Sequence, residues 1–96
     1  DYFLYIFREA FIMSNYLLTA RSLTFAQRGA KILTKNSISA TLLRSPRQLT
    51  ENGCSYCLKI SERNIRKSVE ILRSTGLFTG NVYKVLDNGE YEKVIF

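Results

Sequence analysis

The stretch from Asn52 to Gly76, NGCSYCLKISERNIRKSVEILRSTG, changes its hydrophobic period halfway along. Asn52-Gly53 is strong turn chemistry. Behind it Tyr56, Leu58 and Ile60 alternate with Cys57 and Lys59, which predicts a strand buried on one face. From Ser61 the period lengthens. Ile65, Val69 and Leu72 then fall on one side of a helix, with Ser61 as its N-cap, Glu62 in its first turn and Gly76 as its stop.

Upstream the same strand-to-helix change occurs a first time. Tyr16–Ala20 is an apolar run suited to a buried strand, closed by Arg21-Ser22. Ser22 or Thr24 is placed to cap a helix whose stripe is Phe25, Gly29, Ile32 and Leu33. Ala26 and Ala30 keep its flanks small, Gly29 lets it lie close to a sheet, and Arg28, Lys31 and Lys35 face water. Asn36 is the expected left-handed stop. Ile38–Leu43 alternates like a strand, and Pro46 ends it by forbidding an interior ladder position. Downstream, Val82–Leu86 reads as a fourth strand, and Asp87-Asn88-Gly89-Glu90 as a hairpin turn into a short fifth, Tyr91–Phe96.

The order β-α-β-β-α-β plus a terminal strand predicts an α+β fold. It is the ferredoxin-like split βαβ sandwich, an antiparallel sheet with two helices on one face. That architecture hosts many unrelated activities, so function must come from the residues.

Composition removes most catalytic classes. The 96 residues contain no His and no Trp, so there is no Ser-His-Asp triad, no Cys-His pair and no His-based metal site. With only two cysteines, three positions apart, a reducing cytoplasm is the expected compartment. Net charge is +6, from 14 Lys and Arg against 8 Asp and Glu, which suits an acidic partner. The first twelve residues, DYFLYIFREAFI, contain an apolar run too short to cross a bilayer, and they lack a basic start and a cleavage site. Met13 is read as the natural start of a single domain over residues 13–96, with residues 1–12 an upstream extension. The other reading of those residues is a short amphipathic helix that packs on the domain or a partner.

The remaining chemistry is thiol chemistry at Cys54-Ser55-Tyr56-Cys57. A dithiol redox pair expects its first Cys at a helix N-terminus, whereas this pair opens a strand, where side chains three apart diverge. Zinc needs four ligands, and two Cys without His would need a dimer pooling two pairs; no metal and no other cofactor is therefore expected. A single reactive thiol is the third reading. Cys54 follows Gly53 at the mouth of a loop, with Arg44 and Arg47 before it and Lys59 beyond, cations that favour a thiolate. It is expected to be exposed. Cys57, inside the strand, is expected to act as an apolar filler.

Several of these residues resemble the Se/S carrier-like family of small bacterial proteins. They are Tyr16-Leu17-Leu18-Thr19 followed by Arg21-Ser22, the helix ending near Asn36, and Ser45-Pro46-Arg47-Gln48-Leu49. Gly53-Cys54-Ser55-Tyr56 and the Ser61–Gly76 helix complete the set. The resemblance runs from Asn15 to about Val85. It implies a ferredoxin-like fold and a non-enzymatic carrier that holds sulfur or selenium as a persulfide or selenopersulfide on the Cys matching Cys54. Its partners would be a donor such as a cysteine desulfurase and an acceptor protein. Many relatives have Gly where this chain has Ser55, and the Cys-Pro-x-Pro motif of other bacterial sulfur carriers is absent.

Two other classes compete. An RNA-binding module of this fold would stack bases on its central strands, where only Tyr16 and Tyr56 are available. A regulatory or assembly module would pair two copies as a homodimer through a sheet edge, an open sheet face or the C-terminal hairpin.

Overall fold

The computed structural model of the chain describes residues 14–50 and 54–96. Expectations for residues 1–12 and for Gly53 therefore lie outside the described residues. Five strands and two α-helices alternate as β1 (Asn15–Ala20), α1 (Leu23–Lys35), β2 (Thr41–Arg44), β3 (Tyr56–Ser61), α2 (Ile65–Ser74), β4 (Val82–Val85) and β5 (Tyr91–Val94). A short 3-10 turn, Arg47–Leu49, lies between β2 and β3. The sheet is antiparallel throughout, in the order β2-β3-β1-β4-β5. This α+β arrangement is compatible with the split βαβ pattern, with β5 added beyond β4.

Register decides which side chains meet. Tyr16 stands opposite Ile60 and Lys84, and Leu18 opposite Leu58 and Val82. Tyr16, Leu18, Leu58, Ile60 and Val82 thus share one face, because strand side chains alternate. That face is covered by both helices: Leu33 from α1 and Ile65, Val69 and Leu72 from α2 complete one buried cluster. Gly29 brings α1 down onto the sheet, since a Cβ there would stand 3.2 Å from Leu58 Cδ1 and 3.4 Å from Leu72 Cδ2. A closer approach joins β1 to the chain before β4. A Cβ on Gly80 would fall on the Thr19 carbonyl. Thr19, itself buried, accepts from the Asn81 N–H at 2.9 Å and donates its own N–H to the Asn81 carbonyl at 2.9 Å.

Both helices end in the same device. The Ser37 N–H reaches the Thr34 carbonyl and Ile38 N–H the Leu33 carbonyl, at 3.0 and 2.9 Å. At α2, Gly76 N–H reaches Arg73 and Leu77 N–H reaches Leu72, at 3.2 and 2.8 Å. These are Schellman motifs, with Ile38 and Leu77 as their apolar closing residues. Gly76 takes the left-handed position in one, at φ 73°, and Ser37 in the other, at φ 62°.

Four local expectations are corrected here. The left-handed residue after α1 is Ser37 rather than Asn36, because the Asn36 side-chain amide instead donates to the Ile32 carbonyl at 2.8 Å. The buried stripe of α1 is Ala26, Gly29 and Leu33, which leaves Phe25 half-buried with Arg21 5.3 Å over its ring. Ser61 does not cap α2. It still pairs with Asn15, and the Glu62 N–H donates to the Ser14 carbonyl at 3.0 Å, so the ladder runs past Ser61 and the helix begins only after Asn64. Finally, β2 starts at Thr41, because Ile38 is held by the end of α1. Among the described residues no helix is long and apolar enough to cross a membrane.

Candidate functional site

The two cysteines sit at opposite ends of the β3 entry. Register places Cys57 opposite Thr19 of β1 and Leu43 of β2, on the face that the helices leave open. An open sheet face should expose it, yet it has no solvent exposure. The cover is Leu49, carried back over the sheet by the segment joining β2 to β3. Leu17, Leu49 and Cys57 form a second buried cluster, with Tyr83, Val85 and Tyr91 packed around it.

That segment is shaped by its own hydrogen bonds. Pro46 adopts φ −55° at its head, and its carbonyl accepts from the Leu49 N–H at 2.8 Å. The Thr50 hydroxyl donates to the Arg47 carbonyl at 2.8 Å, which closes the turn. The Ser45 N–H donates to the Ser55 carbonyl at 2.9 Å, tying the two ends of the segment together one position beyond the Arg44–Tyr56 pair. Ser45 Oγ is buried beside Cys57 without a well-formed hydrogen bond. Burial pushes the Cys57 thiol pKa up, and the Ser45 hydroxyl opposes this more weakly. Cys57 is therefore a neutral thiol, held in the ladder and out of water.

Cys54 lies outside the ladder, two residues before β3. The expectation of an exposed thiol is corrected: Cys54 is buried, at 8% exposure, while its neighbour Ser55 is exposed. Turn chemistry in the sequence indicated a loop before Cys54, but not that Cys54 itself packs against the domain. Both cysteines are free thiols.

The cations expected around Cys54 divide. Arg47 is exposed at the head of the 3-10 turn. Lys59 does not join it. Its register position is opposite Leu17 and Thr41, three residues inside β3 from Tyr56 and so about 10 Å along the strand. Arg44, the third cation expected there, ends β2 with its guanidinium 5.6 Å over the Tyr56 ring.

Tyr16 and Tyr56 both belong to the helix-covered side, since Tyr16 joins the main core and Tyr56 shares the parity of Leu58 and Ile60. They offer no base-stacking platform on the open face, and the RNA-binding reading is not favoured. The aromatics on that face are Tyr83 and Tyr91, beside a groove of about 500 Å3 that Leu49, Gln48 and Lys93 also line. Among the described residues no group of three His, Cys, Asp or Glu side chains is placed to hold a metal ion.

One family model matches the chain, that described as "Putative Se/S carrier protein-like", over residues 15–84. Neither a curated protein nor a solved structure is significantly similar to it. The matched span holds both cysteines and the sheet from β1 into β4.

Proposed function

The chain belongs to the Se/S carrier protein-like family, and from that premise we propose that it carries sulfur or selenium on Cys54 between a donor and an acceptor protein. The observation that carries the reading is the family match across residues 15–84. The choice between the thiols is supported by their settings. Cys57 is fully buried with its thiol pKa raised, whereas Cys54 stands outside the ladder next to exposed Ser55. Reaching Cys57 would mean lifting Leu49 off the open face of the sheet.

Transfer needs no general base from this chain. The Cys54 thiolate attacks the terminal sulfur of a persulfide on the donor, which a cysteine desulfurase would supply. The donor's S–S bond breaks and its own thiolate leaves with the bonding pair, so Cys54 becomes the persulfide with no net oxidation. In delivery an acceptor thiolate attacks that terminal sulfur and Cys54 departs as thiolate. Selenium follows the same path as a selenopersulfide. Arg47, at the head of the turn, and Arg44, at the end of β2, are the cations assigned to the negative charge of the loaded form. The working compartment is the cytoplasm of a bacterium.

Incubation with a cysteine desulfurase and cysteine tests this by intact mass. A gain of about 32 Da per sulfur is expected on the wild type and on Cys57→Ser, and not on Cys54→Ser. An adduct that survives Cys54→Ser and vanishes in Cys57→Ser overturns the assignment.

A further inference from the structure

The outer surface of α1 is a row of cations with no acid among them. Arg28, Lys31 and Lys35 are exposed and spaced i, i+3, i+7, on the side away from Ala26, Gly29 and Leu33. They span about 10 Å of helix. The whole of α1, LTFAQRGAKILTK, contains no Asp or Glu to neutralise them. The three also line a groove of about 250 Å3, together with Ile32 and Leu77. Both of those apolar residues are half-buried, with Leu77 placed there by the Schellman turn that ends α2. The groove thus has an apolar floor and a cationic rim.

Such a surface discriminates between acidic partners. A sugar-phosphate backbone brings charge but nothing apolar for Ile32 and Leu77 to cover. The aromatics of the same helical layer are also already occupied. Arg66 lies 5.2 Å over the ring of Phe96 and Arg73 lies 5.0 Å over Phe78, so neither is free to stack a base. A protein helix with acids at three- and four-residue spacing and apolar side chains between them matches both the rim and the floor. We propose that the α1 groove docks an acidic amphipathic helix of the protein that exchanges sulfur or selenium with Cys54. This rests on the carrier reading and locates its partner's surface.

The test uses the full chain and a fluorescein-labelled helical peptide with Glu at i, i+3 and i+7 and Leu at i+4, read by anisotropy. Binding is expected at about 50 mM salt and should weaken about tenfold or more at about 500 mM, because exposed ion pairs are screened. Combining Arg28→Glu, Lys31→Glu and Lys35→Glu should cost about tenfold or more in affinity at low salt. Ile32→Ala, which trims the floor and keeps the charge, should weaken binding at both salt concentrations. Circular dichroism checks that each variant is folded. Loading of Cys54 from a small-molecule persulfide donor should be unchanged in the triple variant, which separates loss of docking from loss of the carrier thiol. The proposal is overturned by absence of binding at low salt, by undiminished binding of the triple variant, or by poly(U) RNA binding this stripe more tightly than the peptide.

Discussion

The two faces of the sheet bury their residues by different means. On the covered face, two helices and three strands supply nine residues of a ten-residue buried cluster, each set by the period of its own element, and Ile38 just after α1 supplies the tenth. On the open face, Leu17 and Cys57 are covered by Leu49, a single side chain from a three-residue turn. Removing any one residue from the first leaves the rest of a layer in place. Removing Leu49 from the second uncovers the thiol beneath it. Access to the Cys57 thiol is therefore governed by an irregular segment, not by a helix or a strand.

The largest expected effect lies on the covered face. Leu72→Ala empties a site with no solvent exposure and should cost about 3 kcal/mol in a urea titration. Leu49→Ala should cost less, about 1–2 kcal/mol, since its neighbours Tyr83 and Tyr91 are only half-buried and water can enter. It should also speed labelling of Cys57 by a thiol reagent, in a Cys54→Ser background, beyond what the loss of global stability produces. Equal costs for the two leucines, or unchanged labelling, would break the comparison between the faces.

The smallest effect is one of pH. The folded state keeps the Cys57 proton after the unfolded chain has begun to lose it, because burial raises this thiol's pKa. The stability gained by holding it neutral is whole below the ordinary thiol range and is lost as pH climbs through the raised value. Above about pH 8.5 the unfolding free energy of the wild type should fall faster than that of Cys57→Ala. Parallel curves for the two proteins would mean that Leu49 does not keep the thiol dry.

What the sequence made legible follows from the same contrast. The alternation of Tyr56, Leu58 and Ile60, and the stripe of Ile65, Val69 and Leu72, are local patterns that survive into the folded core. Element limits were less visible where hydrogen bonds to distant residues set them. Asn15 and Ser14 carry the ladder through Ser61 to Glu62, and nothing near Ser61 records that. The burial of Cys54 and Cys57 was harder still. Ser45-Pro46-Arg47-Gln48-Leu49 has no period that marks Leu49 as buried, because a turn packing back onto a sheet is a tertiary event. Lys59 was drawn to Cys54 by proximity in sequence, whereas an extended strand carries it away.

The position of β1 has a consequence for how the chain is made. It is the middle strand of the sheet, flanked by β3 and β4, and it precedes both in the chain. During synthesis its five buried residues, Tyr16–Ala20, leave the ribosome well before either neighbour exists. At about 5–20 residues per second, β1 waits for seconds without a ladder partner. Pairings this distant along the chain slow folding. The earliest of the five described strands is thus the one that waits longest for its partners, and the nascent chain is most exposed to misassembly until β3 and then β4 arrive to enclose it.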